Sequence, residues 1–84
     1  MKIIINADLA CVVESNTDHC IEDRMHCHVT RGGEYVAQIY LNPVSVERSH
    51  KLNRSELALV LGIVENNHWA LVRAYRETCL SGEI

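Results

Sequence analysis

Residues 25–39, MHCHVTRGGEYVAQI, constrain this chain more than any other stretch. Two runs of β-prone residues, Met25–Thr30 and Glu34–Leu41, flank Gly32-Gly33, and a glycine pair between such runs is a favoured two-residue hairpin turn. Side chains alternate across a strand, so His26 and His28 stand on one face, about 7 Å apart at their bases, and Cys27 points to the other. A two-residue turn with regular pairing sets Arg31 opposite Glu34, Thr30 opposite Tyr35, His28 opposite Ala37 and His26 opposite Ile39. A bulge would reverse that parity.

Ile3–Ile5 and Ala10–Glu14 read as one or two further strands, and Glu14–Asp18 is a polar turn cluster. Asn42-Pro43 closes the hairpin, beyond which Val44-Ser45-Val46 suits a short edge strand. The second half is helical. Asn53 is an N-cap with Glu56 at the third helical position, and Leu52 and Leu57 form a hydrophobic staple. Leu57, Leu59, Val60, Leu61, Ile63 and Val64 then cover about 200° of that helix. Asn66-Asn67 breaks it. His68, Leu71, Val72, Tyr75 and Cys79 restart a helical pattern that ends at Gly82. The expected fold is α+β: a small antiparallel meander of three to four strands packed on a C-terminal helical hairpin in two layers, as one domain over residues 1–84.

A chain of 84 residues without phenylalanine must build its core from Ile, Leu, Val and Ala, with little surplus stability. Dimerisation would add buried area. Ala58 and Gly62, one helical turn apart on the side away from the main stripe, are the expected interface residues. The net charge of −3 is uneven: residues 1–23 hold one lysine against five acids, and the rest of the chain seven basic against six acidic side chains. Such a chain is a poor default partner for nucleic acid. Arg48, His50, Lys51 and Arg54 read more readily as a solvated basic loop than as a phosphate site. No secretion signal or membrane span is evident, so the expected location is cytoplasmic, with Cys11, Cys20, Cys27 and Cys79 reduced and mostly buried.

The motif His26-x-His28-Val29, then Gly33-x-Tyr35-x-Ala37-x-Ile39, resembles the short bacterial proteins of domain of unknown function family 4160. Leu57-x-x-Val60, Asn67 and Leu71-x-x-x-Tyr75 fall where that family has its helical pair, so the similarity spans roughly residues 24–80. Arg24-Met25 replaces the family's usual prolines, Cys27 its aromatic and Tyr75 its tryptophan. The resemblance implies no known activity. Its members are often encoded beside another small protein, which implies a partner of toxin–antitoxin type.

Three readings of the histidines follow. Structural imidazoles would bond backbone or carboxylate groups at the sheet–helix boundary, and no cofactor would be needed. A hydrolytic zinc site would take His26, His28 and a third ligand, His19 or its alternative Cys20. A metal-independent RNA-cleaving site would use His26, His28, Tyr35, Arg31 and Arg24 as acid, base and cation. The leading expectation is an interaction or accessory protein working as a homodimer or with a small partner.

Overall fold

The computed structural model describes residues 1–13 and 24–79. Five strands, β1 (Lys2–Ile4), β2 (Leu9–Val12), β3 (His26–Arg31), β4 (Glu34–Leu41) and β5 (Val44–Ser49), precede helices α1 (Arg54–Asn66) and α2 (His68–Cys79). The sheet order is β1-β2-β3-β4-β5 and every pairing is antiparallel. The α+β class holds, with five strands rather than three to four. The extra one comes from the N-terminal segments, which form a complete β1–β2 pair. The Val44 strand also runs on to Ser49, past the expected Val46. The polar cluster Glu14–Asp18, together with His19 and Cys20, lies outside the described residues.

Gly32 and Gly33 both have positive φ, 57° and 88°, as a two-residue hairpin turn demands. Next to the turn, Arg31 pairs with Glu34 and Thr30 with Tyr35, as expected. A bulge then intervenes. Val29 pairs with Ala37, which makes Val36 an extra residue, and beyond it His28 faces Gln38 and His26 faces Tyr40 instead of Ala37 and Ile39. The physical reason is burial. Val36 and Ala37 are 1% and 5% exposed, and strict alternation would have sent one of them to the polar face. A second irregularity skips Glu47, so that Ile39 pairs with Val46 and Gln38 with Arg48.

One sheet face therefore carries Leu9 and Cys11 of β2, Cys27 and Val29 of β3, and Ala37, Ile39 and Leu41 of β4. These join Val60, Val64, Leu71, Val72 and Tyr75 of the helices in a single core. Leu9, Ile39, Leu41 and Leu71 are fully buried, each worth about 1.5–3 kcal/mol of transfer free energy. The Sγ atoms of Cys11 and Cys27 lie 3.1 Å apart as free thiols within it. Cys79 differs from the expectation of four reduced thiols. It is disulfide-bonded.

The helix start follows the sequence. Asn53 Oδ1 accepts from Glu56 N at 2.8 Å, and Glu56 Oε1 accepts from Asn53 N at 3.0 Å, a complete capping box. The expected helical hairpin is not formed. Asn67 alone joins α1 to α2, with φ −114° and ψ 20°. Its N–H donates to Ile63 O at 3.1 Å and its carbonyl accepts from Leu71 N at 2.9 Å. Helical hydrogen bonding thus continues through the junction, and one near-helical residue bends the axis without reversing it. α1 lies against β5, and α2 against β3 and β4.

Candidate functional site on the polar face of the sheet

The register that gathers the core also gathers the polar side chains. Val12, His28, Gln38 and Arg48 form one cross-strand row over β2–β5, and Ala10, Thr30 and Tyr35 form the adjoining row. His26 and Tyr40 lie opposite each other in the row on the other side. Tyr35, paired with Thr30, stands on the histidine face, and the bulge at Val36 brings Gln38 and Tyr40 to that face in place of Ala37 and Ile39. There the Tyr35 ring stacks on His28 with centroids 4.5 Å apart and an interplanar angle of 13°. His28 meets His26 edge-on at 5.2 Å, and His26 meets Tyr75 of α2 edge-on at 5.5 Å. Four rings thus run in contact from α2 to the hairpin tip.

The two histidines differ in setting. His26 is 1% exposed, and its Nδ1 lies 2.9 Å from the Arg24 carbonyl. A carbonyl oxygen only accepts, so Nδ1 carries the proton and fixes the tautomer. His28 is half-buried and borders a small recess of about 40 Å³, lined also by Tyr35, Ala37, Gln38, Arg48 and His50. Arg48 donates through a terminal nitrogen to Gln38 Oε1 at 3.2 Å, and its Nε lies 3.3 Å from Glu47 Oε2. His50 follows β5 directly, and its backbone N–H donates to Val36 O at 2.8 Å. Arg48 thus belongs to β5 instead of a loop, and His50 is the exposed residue just past the strand.

The other sequence candidates separate. Arg31 sits at the hairpin end between Asp8, at 3.0 Å, and Glu56, at 2.5 Å, so it joins β2, β3 and the start of α1 instead of the histidines. The Asn53 backbone N–H and then the Arg31 guanidinium hold the Glu56 carboxyl below its ordinary range. Arg24 lies over the Tyr40 ring, 3.6 Å from its centroid, a cation–π contact. Of the RNA-cleaving constellation expected from sequence, His26, His28 and Tyr35 share a face and Arg24 covers Tyr40 opposite His26, but Arg31 is drawn away; Arg48 and His50 are the basic groups beside His28. Among the described residues, no group of three His, Cys, Asp or Glu side chains is placed to hold a metal ion. His19 lies outside them.

His68 Nε2 donates to Leu41 O at 2.5 Å and ties the start of α2 to the end of β4. Ala58 and Gly62, the expected interface positions, are exposed on α1. From sequence, Arg48 and His50 stand out only within a basic cluster with Lys51 and Arg54, and Gln38 not at all. The two skipped residues, Val36 and Glu47, hide the parity that places them beside His28. No helix among the described residues is long and apolar enough to cross a membrane.

The family described as Domain of unknown function (DUF4160) matches residues 15–76, most of the chain. The chain belongs to this family. The match takes in the histidine strand, the glycine turn, β5 and α2 as far as Arg76, so the polar face is built almost wholly from the DUF4160 region. No curated protein and no solved structure matches the chain.

Proposed function

We propose that this DUF4160 protein is a small interaction protein that acts as a homodimer through the outer ridge of its bent helical rod. The observation that carries this reading is Trp69, 76% exposed at the start of α2, on a ridge shared with Leu59, itself 45% exposed. Ala58 and Leu59, then Gly62, Asn66, and Trp69 and Ala70 recur at helical spacings of three and four, and all but Asn66 lack polar side-chain atoms or present an apolar ring. None is charged. Burying the exposed part of one tryptophan contributes roughly 3 kcal/mol before association costs.

A second copy fits this ridge better than an unlike partner. A two-fold axis near Val60 sets Ala58 against the partner's Gly62, where small side chains allow close approach. The same axis brings Arg54 within one residue of the partner's Glu65, pairing opposite charges at both ends. A partner of toxin–antitoxin type, encoded nearby, would use the same apolar ridge.

Sedimentation equilibrium tests the proposal. The wild-type protein is expected to be dimeric at micromolar concentration. Gly62→Lys is expected to fold at least as well, because a Cβ at Gly62 meets no atom within 4 Å and lysine is the better helix former. It should nevertheless sediment as a monomer. A wild type that remains monomeric, or a Gly62→Lys variant that still dimerises, would remove the ridge as the homodimer interface.

A further inference from the structure

We propose that the recess between His28 and His50 is a binding site for a phosphoryl group. It is independent of the dimer ridge, which lies on the outer side of the helices.

Size comes first. A water position takes about 10–15 Å³ on the same measure, so a recess of about 40 Å³ holds roughly three. That is room for part of a tetrahedral oxyanion and too little for a nucleobase or a sugar ring.

The lining chemistry selects the same class. His28, His50, Arg48, Gln38 and Tyr35 supply two imidazoles, a guanidinium, a carboxamide and a phenol, and among the described residues no carboxylate lines the recess. Arg48 uses one terminal N–H on Gln38 and holds Nε beside Glu47. A guanidinium has five N–H groups, so further donors remain for a ligand oxygen. The same guanidinium opposes a divalent cation, which separates this site from the zinc reading of the histidines.

The donors are also held in place. His28, Gln38 and Arg48 sit on three neighbouring strands in a single register row. The Tyr35 ring fixes the plane of the His28 imidazole by stacking, and the hydrogen bond from His50 N to Val36 O fixes the end of β5 against the bulge. Preorganised donors of this kind bind an anion at a small ordering cost. The Arg48 side chain is 68% exposed, so a phosphoryl group can enter from solvent. A charge-assisted hydrogen bond is among the stronger polar contacts, and its loss is expected to weaken binding about tenfold or more.

The test is an NMR titration of the full chain, following backbone amides and the histidine ring protons. Inorganic phosphate, a nucleoside 5′-monophosphate and the same nucleoside without phosphate are the three probes. Phosphate is expected to shift His28, His50, Gln38 and Arg48 in a saturable way with Kd in the millimolar range or tighter, about 4 kcal/mol of binding. The 5′-monophosphate should shift the same residues and the nucleoside none. Tighter binding of the 5′-monophosphate would mark a phosphate carried on an organic group as the ligand, and equal binding would mark the free anion; both support a phosphoryl site. Arg48→Gln should lower the affinity at least tenfold, and Arg73→Gln on the exposed side of α2 should leave it unchanged. Thermal melts verify that both variants fold. Three outcomes would overturn the proposal: no saturable shift at about 10 mM phosphate, shifts centred on Lys51 and Arg54 instead of the recess, or equal losses in the two arginine variants.

Discussion

Leu71→Ala tests whether α2 is bound to the sheet as described. Leu71 is 0% exposed, packed in the core shared with β3 and β4. The substitution removes three carbons, worth about 2.4 kcal/mol at roughly 0.8 kcal/mol for each buried methylene. The cavity left behind adds to that, because neighbours relax only partly, and a total of about 3–4 kcal/mol is expected. A chain of 84 residues has a stability on the order of 4–13 kcal/mol, so the change removes a large share of it. The melting temperature should fall by roughly 12–30 °C. Trp69, two residues earlier and 76% exposed, supplies the contrast: Trp69→Ala should cost the monomer less than about 1 kcal/mol. Urea unfolding of both variants, at protein concentrations low enough to exclude self-association, gives the two values, and an unchanged m-value keeps them comparable. A Leu71→Ala cost below about 1 kcal/mol, or a Trp69→Ala cost equal to it, would refute the orientation of α2.

Acid stability should depend on Glu56. Its folded carboxyl titrates below the ordinary glutamate value near about 4.3, so its stabilisation is present above that pH and is lost as the pH falls through the folded value. Glu56→Gln should lower stability at neutral pH and flatten the acid limb of a series of thermal melts. Cys11 and Cys27, 0% and 1% exposed, should resist a thiol-specific disulfide reagent in the native protein and react together when urea unfolds it. The hydrogen bond with the neighbouring Cys11 sulfur, and then burial, push the Cys27 thiol up, away from the reactive thiolate. Gly33→Ala, at φ 88°, should cost about 1–2 kcal/mol in thermal unfolding, because an L-residue is strained there. Gly62→Ala in mid-helix should stabilise the monomer by about 0.5–1 kcal/mol.

The elements governed by local chemistry were legible in the sequence. Gly32-Gly33 announces a turn that only positive φ permits, and Asn53 with Glu56 announces a capping box. The Leu71, Val72 and Tyr75 spacing announces the buried face of α2. What escaped was set by competition between distant residues. Val36 and Ala37 both belong in the core, and the bulge that admits them shifts every pair from Val29 to His26 by one position. Glu47 is skipped in the same way, so Arg48 and His50 come beside His28 although they read as a charged loop. Arg31 suited catalysis by residue type, yet Asp8 and Glu56, far off in sequence, neutralise it at the other end of the hairpin. Asn66-Asn67 marks a helix boundary correctly, but two asparagines do not reveal whether the axis bends or reverses. The helical hydrogen bonds through Asn67 decide for a bend.

The dimer ridge carries its own probe, because Trp69 is the sole tryptophan of the chain and stands 76% exposed on that surface. Its fluorescence, followed by dilution across the dissociation range, reads the interface without a label. A homodimer through Ala58, Gly62 and Trp69 predicts blue-shifted emission at high concentration, moving to the red of a water-exposed indole on dilution, with Gly62→Lys red-shifted throughout. Water-like emission at every concentration, identical in the wild type and Gly62→Lys, would contradict it.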